Sequence, residues 1–428
     1  MIQEFSVENI LSIKTRQTIS FELPQNKNYS SEHFVNIGGK KLLKIIALYG
    51  SNAAGKSNML NAFDNCFRFM MYGFTNLKPS DNTGFEPFLF DLEAANKPGL
   101  FEIVFFINDV KYEYLLTYDS NCIHKESLFY GPKGQKKLIF ERICENLGNE
   151  RELLSYKYKW GDVFSGAKNK IASMTRPNVT FFNTAAHLHH PLIQDIYNWL
   201  EKTYLPIIFP SHQNLLMWTI EQIEKNQKMK KDVISYMSHA GFNHIDDIII
   251  NNEEIPPTFL ERIPENERAF FKNSDGKFIV KEIFISHNYK NVYPLPIYDE
   301  SSGTQRMLEL AGPLLTVLYN KKFLCIDEIE ASLHADLQEF LIKTFINNSF
   351  GSQIIFTTHN QALMDSGLLL DDSIWFVEKG DDGGSSYKCS SQEQGMRKAT
   401  SRMKMYKDGK FGAKPKITEY IVNKEDLE

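Results

Sequence analysis

Eight residues constrain this chain more than any others: Gly50-Ser51-Asn52-Ala53-Ala54-Gly55-Lys56-Ser57. They lie between an apolar, β-like run, Leu43 to Tyr49, and a helical pattern that opens at Asn58. Two glycines with four residues between them, followed by Lys-Ser in a strand-to-helix context, form a phosphate-binding loop (P-loop). Gly50 and Gly55 let successive backbone N–H groups turn inward on a polyphosphate, and the helix that follows adds its positive N-terminal end. Lys56 reaches the outer phosphates, and Ser57 offers an oxygen to Mg2+.

Composition bounds what surrounds the loop. A chain of 428 residues with 42% hydrophobic content has room for two or three domains, or for one large α/β domain carrying insertions. The net charge of −5 means that any nucleic-acid contact has to come from a local patch. Cys66, Cys122, Cys144, Cys325 and Cys389 lie far apart with no CxxC pair. That spacing argues against a disulfide framework and against a structural zinc site, and it places the chain in a reducing, cytoplasmic setting. No apolar run reaches 18 residues and the first residues are acidic, so neither a membrane span nor a signal peptide is expected.

In chain order, residues 2–8 and 17–23 read as a hairpin leading toward the P-loop strand, and residues 24–40 as a loop. The P-loop helix is expected to end near Gly73. The runs 101–107 and 112–118 flank Asn108-Asp109 and predict a second hairpin. Further β-like pieces occur around 127–130 and 138–142. Helical spacing of Leu192, Ile196, Trp199 and Leu200 marks a helix over 191–205, and 216–239 reads as another with a lysine-rich face. A strand pair is expected at 277–286 and 292–296. Sustained heptads are absent, so no long coiled-coil arm is expected.

The last third carries a second chemical half. Lys322-Phe-Leu-Cys-Ile-Asp327-Glu328 is a short apolar strand ending in two carboxylates, suited to holding Mg2+ and polarising an attacking water. Downstream, Gly351 to Thr358 is another core strand, ending at His359; upstream, Ser301-Ser302-Gly303-Thr304 opens a helix. His187, His189 and His190 lack carboxylate or cysteine companions at ligand spacing and read as surface or capping histidines.

This order of motifs resembles the ABC-type ATPase heads of the SMC and Rad50 class. Asn52 and Asn58 around the P-loop, and Ile329-Glu330-Ala331-Ser332-Leu333-His334, are more particularly similar to the OLD (overcoming lysogenization defect) ATPases. The ending Tyr406 to Pro415 resembles the stand-alone RloA/AbiL branch of that class. The resemblance implies an α/β ATPase head with a P-loop parallel core sheet, an antiparallel N-terminal subdomain and a helical insertion. The expected divisions are lobe I over 1–185, a mainly helical insertion over 186–290, and lobe II over 291–428.

The resemblance also implies roles. Gly50, Asn52, Gly55, Lys56, Ser57 and Asn58 would hold ATP, with Ser57 and Asp327 on Mg2+. Glu328 would be the general base and His359 a γ-phosphate sensor. Ser302 and Gly303 would reach the nucleotide of a second copy, so a homodimer or higher oligomer of ATP-sandwiched heads is implied. Two departures stand out: Thr304 occupies the place of a signature glycine, and no glutamine occurs between Ser57 and Gly134 to serve as the Q-loop ligand.

About 70 residues follow His359, too few for a further domain of typical size. No TOPRIM-like nuclease module is therefore expected after His359; the RloA/AbiL resemblance implies a separate, RloB-type effector with a TOPRIM-like fold, and the implied function is an ATPase controlling that effector in anti-phage defence. The alternative is an SMC/Rad50-like ATPase that clamps DNA for repair or maintenance. A basic tail, Arg397 to Lys416, with Tyr406 and Phe411 interleaved, has the make-up to hold a phosphate backbone and stack bases. A solvated face or a docking surface for an acidic protein fits the same residues.

Overall fold

The run Ile45–Gly50 is buried at every position, so its backbone needs a partner strand on each side. In the computed structural model, which describes residues 1–146, 151–210, 215–268, 271–272, 275–392 and 401–413, both partners are parallel. With strands numbered along the chain, this run is β6. It lies between β16 (Gln353–Thr358) and β17 (Ile374–Lys379). β15 (Phe323–Ile326) extends the sheet parallel to β16, and β18 (Ser385–Cys389) closes the other edge antiparallel to β17.

A second sheet is antiparallel throughout, in the order β11-β10-β9-β8-β7-β1-β2. Its strands are β1 (Ile2–Glu8), β2 (Gln17–Ser20), β7 (Gly99–Ile107), β8 (Val110–Tyr118), β9 (Ile123–Gly131), β10 (Lys137–Cys144) and β11 (Tyr156–Trp160). Asn108 and Asp109 both take left-handed backbone angles, φ 47 and 64, as the expected hairpin turn requires.

The loop expected over 24–40 is only partly a loop. β3 (Glu22–Leu23), β4 (Phe34–Ile37) and β5 (Lys40–Leu43) form a small sheet, and Gly38-Gly39 is the turn between β4 and β5. The density of turn formers hid a short hairpin whose two central residues both need positive φ.

The helix Lys56–Asn76 lies between the parallel and antiparallel sheets, and it runs three residues past Gly73. Met59, Leu60, Phe63, Phe67 and Met70 recur three and four residues apart, which gives the helix a continuous apolar face. Phe63 stacks on Phe5 of β1 at 4.0 Å and meets Phe323 of β15 at 5.2 Å, so one side chain touches both sheets. Buried Gln353 adds a polar tie: its amide donates to the carbonyls of Ile2 and Leu43 and accepts from the Ile2 N–H.

The chain separates into two units. The first comprises Met1–Pro210, Asn320–Ile329 and Ile342–Glu428, and it contains the three sheets above. The second comprises Ser211–Tyr319 and Glu330–Leu341. Within it, the single helix expected over 216–239 is two, Leu215–Lys225 and Gln227–His239, because the Asn226 side chain accepts from the Lys228 and Met229 N–H groups and restarts the helix. β12 (Ile245–Glu254), unanticipated in a stretch rich in Asp, Asn and Glu, pairs with β13 (Ile279–Asn288), which pairs with β14 (Val292–Pro296).

The helix Ser302–Asn320 of this unit contains Pro313, which has no N–H for the Glu309 carbonyl. The Thr219 hydroxyl donates to that carbonyl instead, at 3.0 Å, and it passes where Gly312 has no side chain. No helix among the described residues is long and apolar enough to cross a membrane.

One buried ion pair holds the antiparallel sheet to the helix Phe181–His187. Glu126 of β9 accepts from the Phe181 and Phe182 N–H groups and lies 3.9 Å from Arg142 of β10, both residues having no solvent exposure. Removing one member strands the other charge. Arg142→Leu is expected to cost about 3–5 kcal/mol in urea unfolding, while Lys125→Ala, on a partly exposed pair with Glu141 that Lys159 also serves, should change stability by less than about 1 kcal/mol.

Candidate nucleotide site

Parallel strands deliver their carboxyl ends to one side of a sheet, and that edge is where ligands bind in open α/β folds. Here β6 ends in the P-loop, β15 is followed directly by Asp327 and Glu328, and β16 by His359. The order β15-β16-β6 brings these three ends side by side.

The two loop glycines are required for different reasons. Gly50 pairs with Val377 of β17, and a Cβ there would fall on the Val377 carbonyl. Gly55 has φ 109, a region that L side chains rarely adopt, and a Cβ would collide with the hydroxyls of Ser385 and Ser12.

Those hydroxyls belong to a network behind the loop that the motif does not announce. Ser385 Oγ donates to the Ala54 carbonyl at 2.6 Å and shares a hydrogen bond with Ser12 Oγ at 2.7 Å. Asn58 Nδ2 donates to Ser12 Oγ at 2.6 Å, and Tyr387 Oη donates to the Gly55 carbonyl at 2.6 Å. Burial pushes the Tyr387 phenol well above its ordinary value, which keeps it a neutral donor. The loop's carbonyls are thus tied backward, away from the face its N–H groups would offer to phosphate.

Lys56 is buried, and its ammonium donates to the carbonyls of Gly50 and Ser51 at 3.1 and 3.0 Å. Ser57 Oγ donates to Asp327 Oδ2 at 2.8 Å, joining the two motifs directly. The other Asp327 oxygen accepts from Thr357 Oγ1 at 2.6 Å, and Thr357 Oγ1 in turn accepts from the Glu328 N–H at 2.7 Å. Thr357 therefore sets the position of both acids.

Glu328 is exposed and has φ 47, a left-handed conformation that costs a non-glycine residue on the order of 1–3 kcal/mol. His359 and Asn52 are exposed at the same edge of the first unit. Ser302 and Gly303 lie at the start of the helix Ser302–Asn320 in the second unit, where the Ser301 hydroxyl caps the Thr304 N–H at 3.1 Å. Ser302 is exposed.

Sequence reasoning named the residues at the strand ends but missed Ser12, Thr357, Ser385 and Tyr387. Their only signal is long-range pairing, which no local pattern carries.

The aromatic half of the basic tail is corrected. Tyr406 and Phe411 are buried and stack on Phe376 at 5.6 and 3.9 Å, so neither ring faces a nucleobase. Arg402 pairs with Asp371. Lys404, Lys407 and Lys410 are exposed, whereas Arg397, Lys398, Lys414 and Lys416 lie outside the described residues.

His190 stacks on Phe164 at 4.0 Å and contacts the Ser165 carbonyl through Nε2, a packed rather than ligating histidine.

A strand, a glycine-lined loop, a helix and an acid at the end of the parallel strand next but one define a P-loop nucleotide-binding α/β protein. The family described as "AAA domain, putative AbiEii toxin, Type IV TA system" matches residues 45–152 and 225–365, more than half of the chain. The chain belongs to that family and is accordingly an ATPase of the AAA type. Among solved structures it is similar to the SMC head domain from Thermotoga maritima, at 13% identity and a TM-score of 0.43, over 91% of this chain and 98% of that one. It is also similar to the SmcHead bound to the C-winged helix domain of ScpA, at 13% identity and a TM-score of 0.39, over 90% and 96%. No curated protein matches the chain.

Gly55→Ala places a methyl group on two hydroxyls at a left-handed position. The expected result is a loss of about 1–3 kcal/mol in unfolding free energy together with loss of nucleotide binding, read by urea titration and by a fluorescent ATP analogue.

Proposed function

We propose that this site binds ATP with Mg2+ and hydrolyses it, and that the cycle closes and opens an oligomer controlling a separate effector in anti-phage defence. The observation that carries the first half is the 2.8 Å contact between Ser57 and Asp327. It puts a hydroxyl and a carboxylate, an all-oxygen donor pair suited to a hard cation, at the foot of the P-loop. The loop beside them keeps its backbone against the Val377 carbonyl at Gly50 and against the Ser385 and Ser12 hydroxyls at Gly55, packing that leaves no room for a Cβ at either glycine.

Bound ATP with Mg2+ would supply a transferable phosphoryl group. The chain's own residues do the rest. Lys56, released from the Gly50 and Ser51 carbonyls, would neutralise phosphate charge, and Ser57 and Asp327 would hold the metal. Glu328, whose backbone N–H is held by Thr357, would be the general base for the attacking water. His359, one residue beyond β16, would be the γ-phosphate sensor.

Exposed Ser302 and half-buried Gly303, at a helix start, would meet the nucleotide of another copy, as the ABC-type resemblance implies. Contacts that exist only while the γ-phosphate is present would then shift the population toward closed assemblies. The defence role rests on the abortive-infection vocabulary of the family description and on the resemblance to the RloA/AbiL branch. That resemblance also points to a TOPRIM-like partner.

Lys56→Ala should abolish ATP binding; turnover at the parental rate would remove the site from the reaction. Glu328→Gln should still bind ATP, lose about 10²–10⁴-fold in turnover, and accumulate closed assemblies on size exclusion. Ser302→Arg should impair hydrolysis without changing the unfolding midpoint, and mixing it with Lys56→Ala should give composite sites of predictable activity. Copurification of a nuclease-like neighbour with the full chain, sensitive to ATP, supports the effector role. A salt-dependent, ATP-stimulated DNA affinity of the chain alone would replace it with a DNA-clamping one.

A further inference from the structure

The turn joining β8 to β9 carries Asp119 and Cys122, and His124 follows at the start of β9, remote in sequence from every residue assigned above. A carboxylate oxygen, the sulfur and an imidazole nitrogen of these three all lie within 4.8 Å of one another. Counting cysteine pairs set a zinc site aside at the sequence level, but an Asp-x-x-Cys-x-His turn escapes that count.

The two oxygens of Asp119 have separate tasks. Oδ1 accepts from the Asn121 and Cys122 N–H groups at 2.7 and 2.8 Å and shapes the turn. Oδ2 faces His124 Nε2 at 2.7 Å. The oxygen not needed by the backbone is thus the one aimed at the histidine.

Zinc takes sulfur, nitrogen and oxygen ligands at about 2.0–2.3 Å in a tetrahedron, which sets neighbouring ligand atoms roughly 3–4 Å apart. To reach that geometry Oδ2 and Nε2, 2.7 Å apart, have to part by less than about 1 Å, and no pair has to close by more than about 2 Å.

The turn is also braced by residues outside the ligand set. Arg151 Nε donates to the Asn121 carbonyl and to its side-chain oxygen at 2.8 and 2.9 Å, the Thr83 N–H donates to the Ser120 carbonyl, and Tyr156 Oη donates to the Ile123 carbonyl at 3.0 Å. Such a supporting shell is what a metal site requires and what a plain hairpin turn does not.

We propose that Asp119, Cys122 and His124 bind a zinc-type divalent cation, leaving a fourth position to solvent or a further ligand. The mixed sulfur, nitrogen and oxygen set selects zinc over magnesium. A carboxylate and a thiolate balance the two positive charges, and the Cys122 proton leaves to solvent on binding. The nearby Arg142 guanidinium is already held by the Val179 and Arg176 carbonyls and by Glu126, so a neutral site does not disturb it.

The test uses the full chain, without nucleotide, titrated with Co2+ as the probe. A thiolate-to-cobalt charge-transfer band excludes the P-loop site, which offers only oxygen ligands, and Cys122→Ser separates this cysteine from the other four. The expected result is saturation at one equivalent and displacement by Zn2+. Cys122→Ser should lose the band. Asp119→Asn, whose amide oxygen keeps the turn, should retain the unfolding midpoint yet bind Co2+ at least about tenfold more weakly. No band at one equivalent, a band that survives Cys122→Ser, or parental affinity in Asp119→Asn would overturn the assignment.

Discussion

The hydrogen bond between Ser57 and Asp327 joins positions 270 residues apart, and most of the architecture exists to make it possible. A serine at a helix start and an aspartate at a strand end meet only if their strands are parallel and close. The order β15-β16-β6 meets that condition with one strand between them. That intervening strand contributes Thr357, which spans the gap with a single hydroxyl. Parallel neighbours cannot be joined by a tight turn, so long excursions of chain are unavoidable. The second unit and the antiparallel sheet occupy those excursions.

The helix after the P-loop carries the mechanical load of this arrangement. Its aromatic face is shared by two sheets, with Phe63 against both Phe5 and Phe323. Burying a phenylalanine of this kind contributes about 1.5–3 kcal/mol, several times what an exposed ion pair supplies. The position of the helix N-terminus, and hence of Lys56 and Ser57, is therefore decided by packing and not by surface charge. The Ser12, Ser385 and Tyr387 hydroxyls act at the opposite end of the problem, orienting the loop's peptide groups once the helix is in place.

How much of this was legible follows the range of each interaction. Buried strands and the P-loop announce themselves locally: Ile45–Gly50 is apolar without interruption, and its glycines fall at fixed spacing. The hairpin at Asn108-Asp109 was readable because two adjacent residues with left-handed tolerance leave few alternatives. The hairpin at Gly38-Gly39 was lost among neighbouring turn formers, and β12 was hidden because Ile245–Glu254 is acidic and asparagine-rich outside a few isoleucines. The basic tail misled in another way. Alternating lysines and aromatics look alike whether the rings face solvent or the core, and only the stacking of Tyr406 and Phe411 on Phe376 decides between them. The hydroxyl network behind the P-loop had no local signature at all.

The left-handed backbone at Glu328 bears on how this position can vary. Glycine would relax the strand end and remove the carboxylate; most other side chains would inherit the strain with no chemistry in return. On the catalytic role proposed for Glu328, selection for thermal robustness and selection for turnover would pull this residue in opposite directions. A lineage that abandoned hydrolysis but kept nucleotide binding would be expected to drift toward glycine or asparagine here, leaving a fossil of the lost reaction in a single codon.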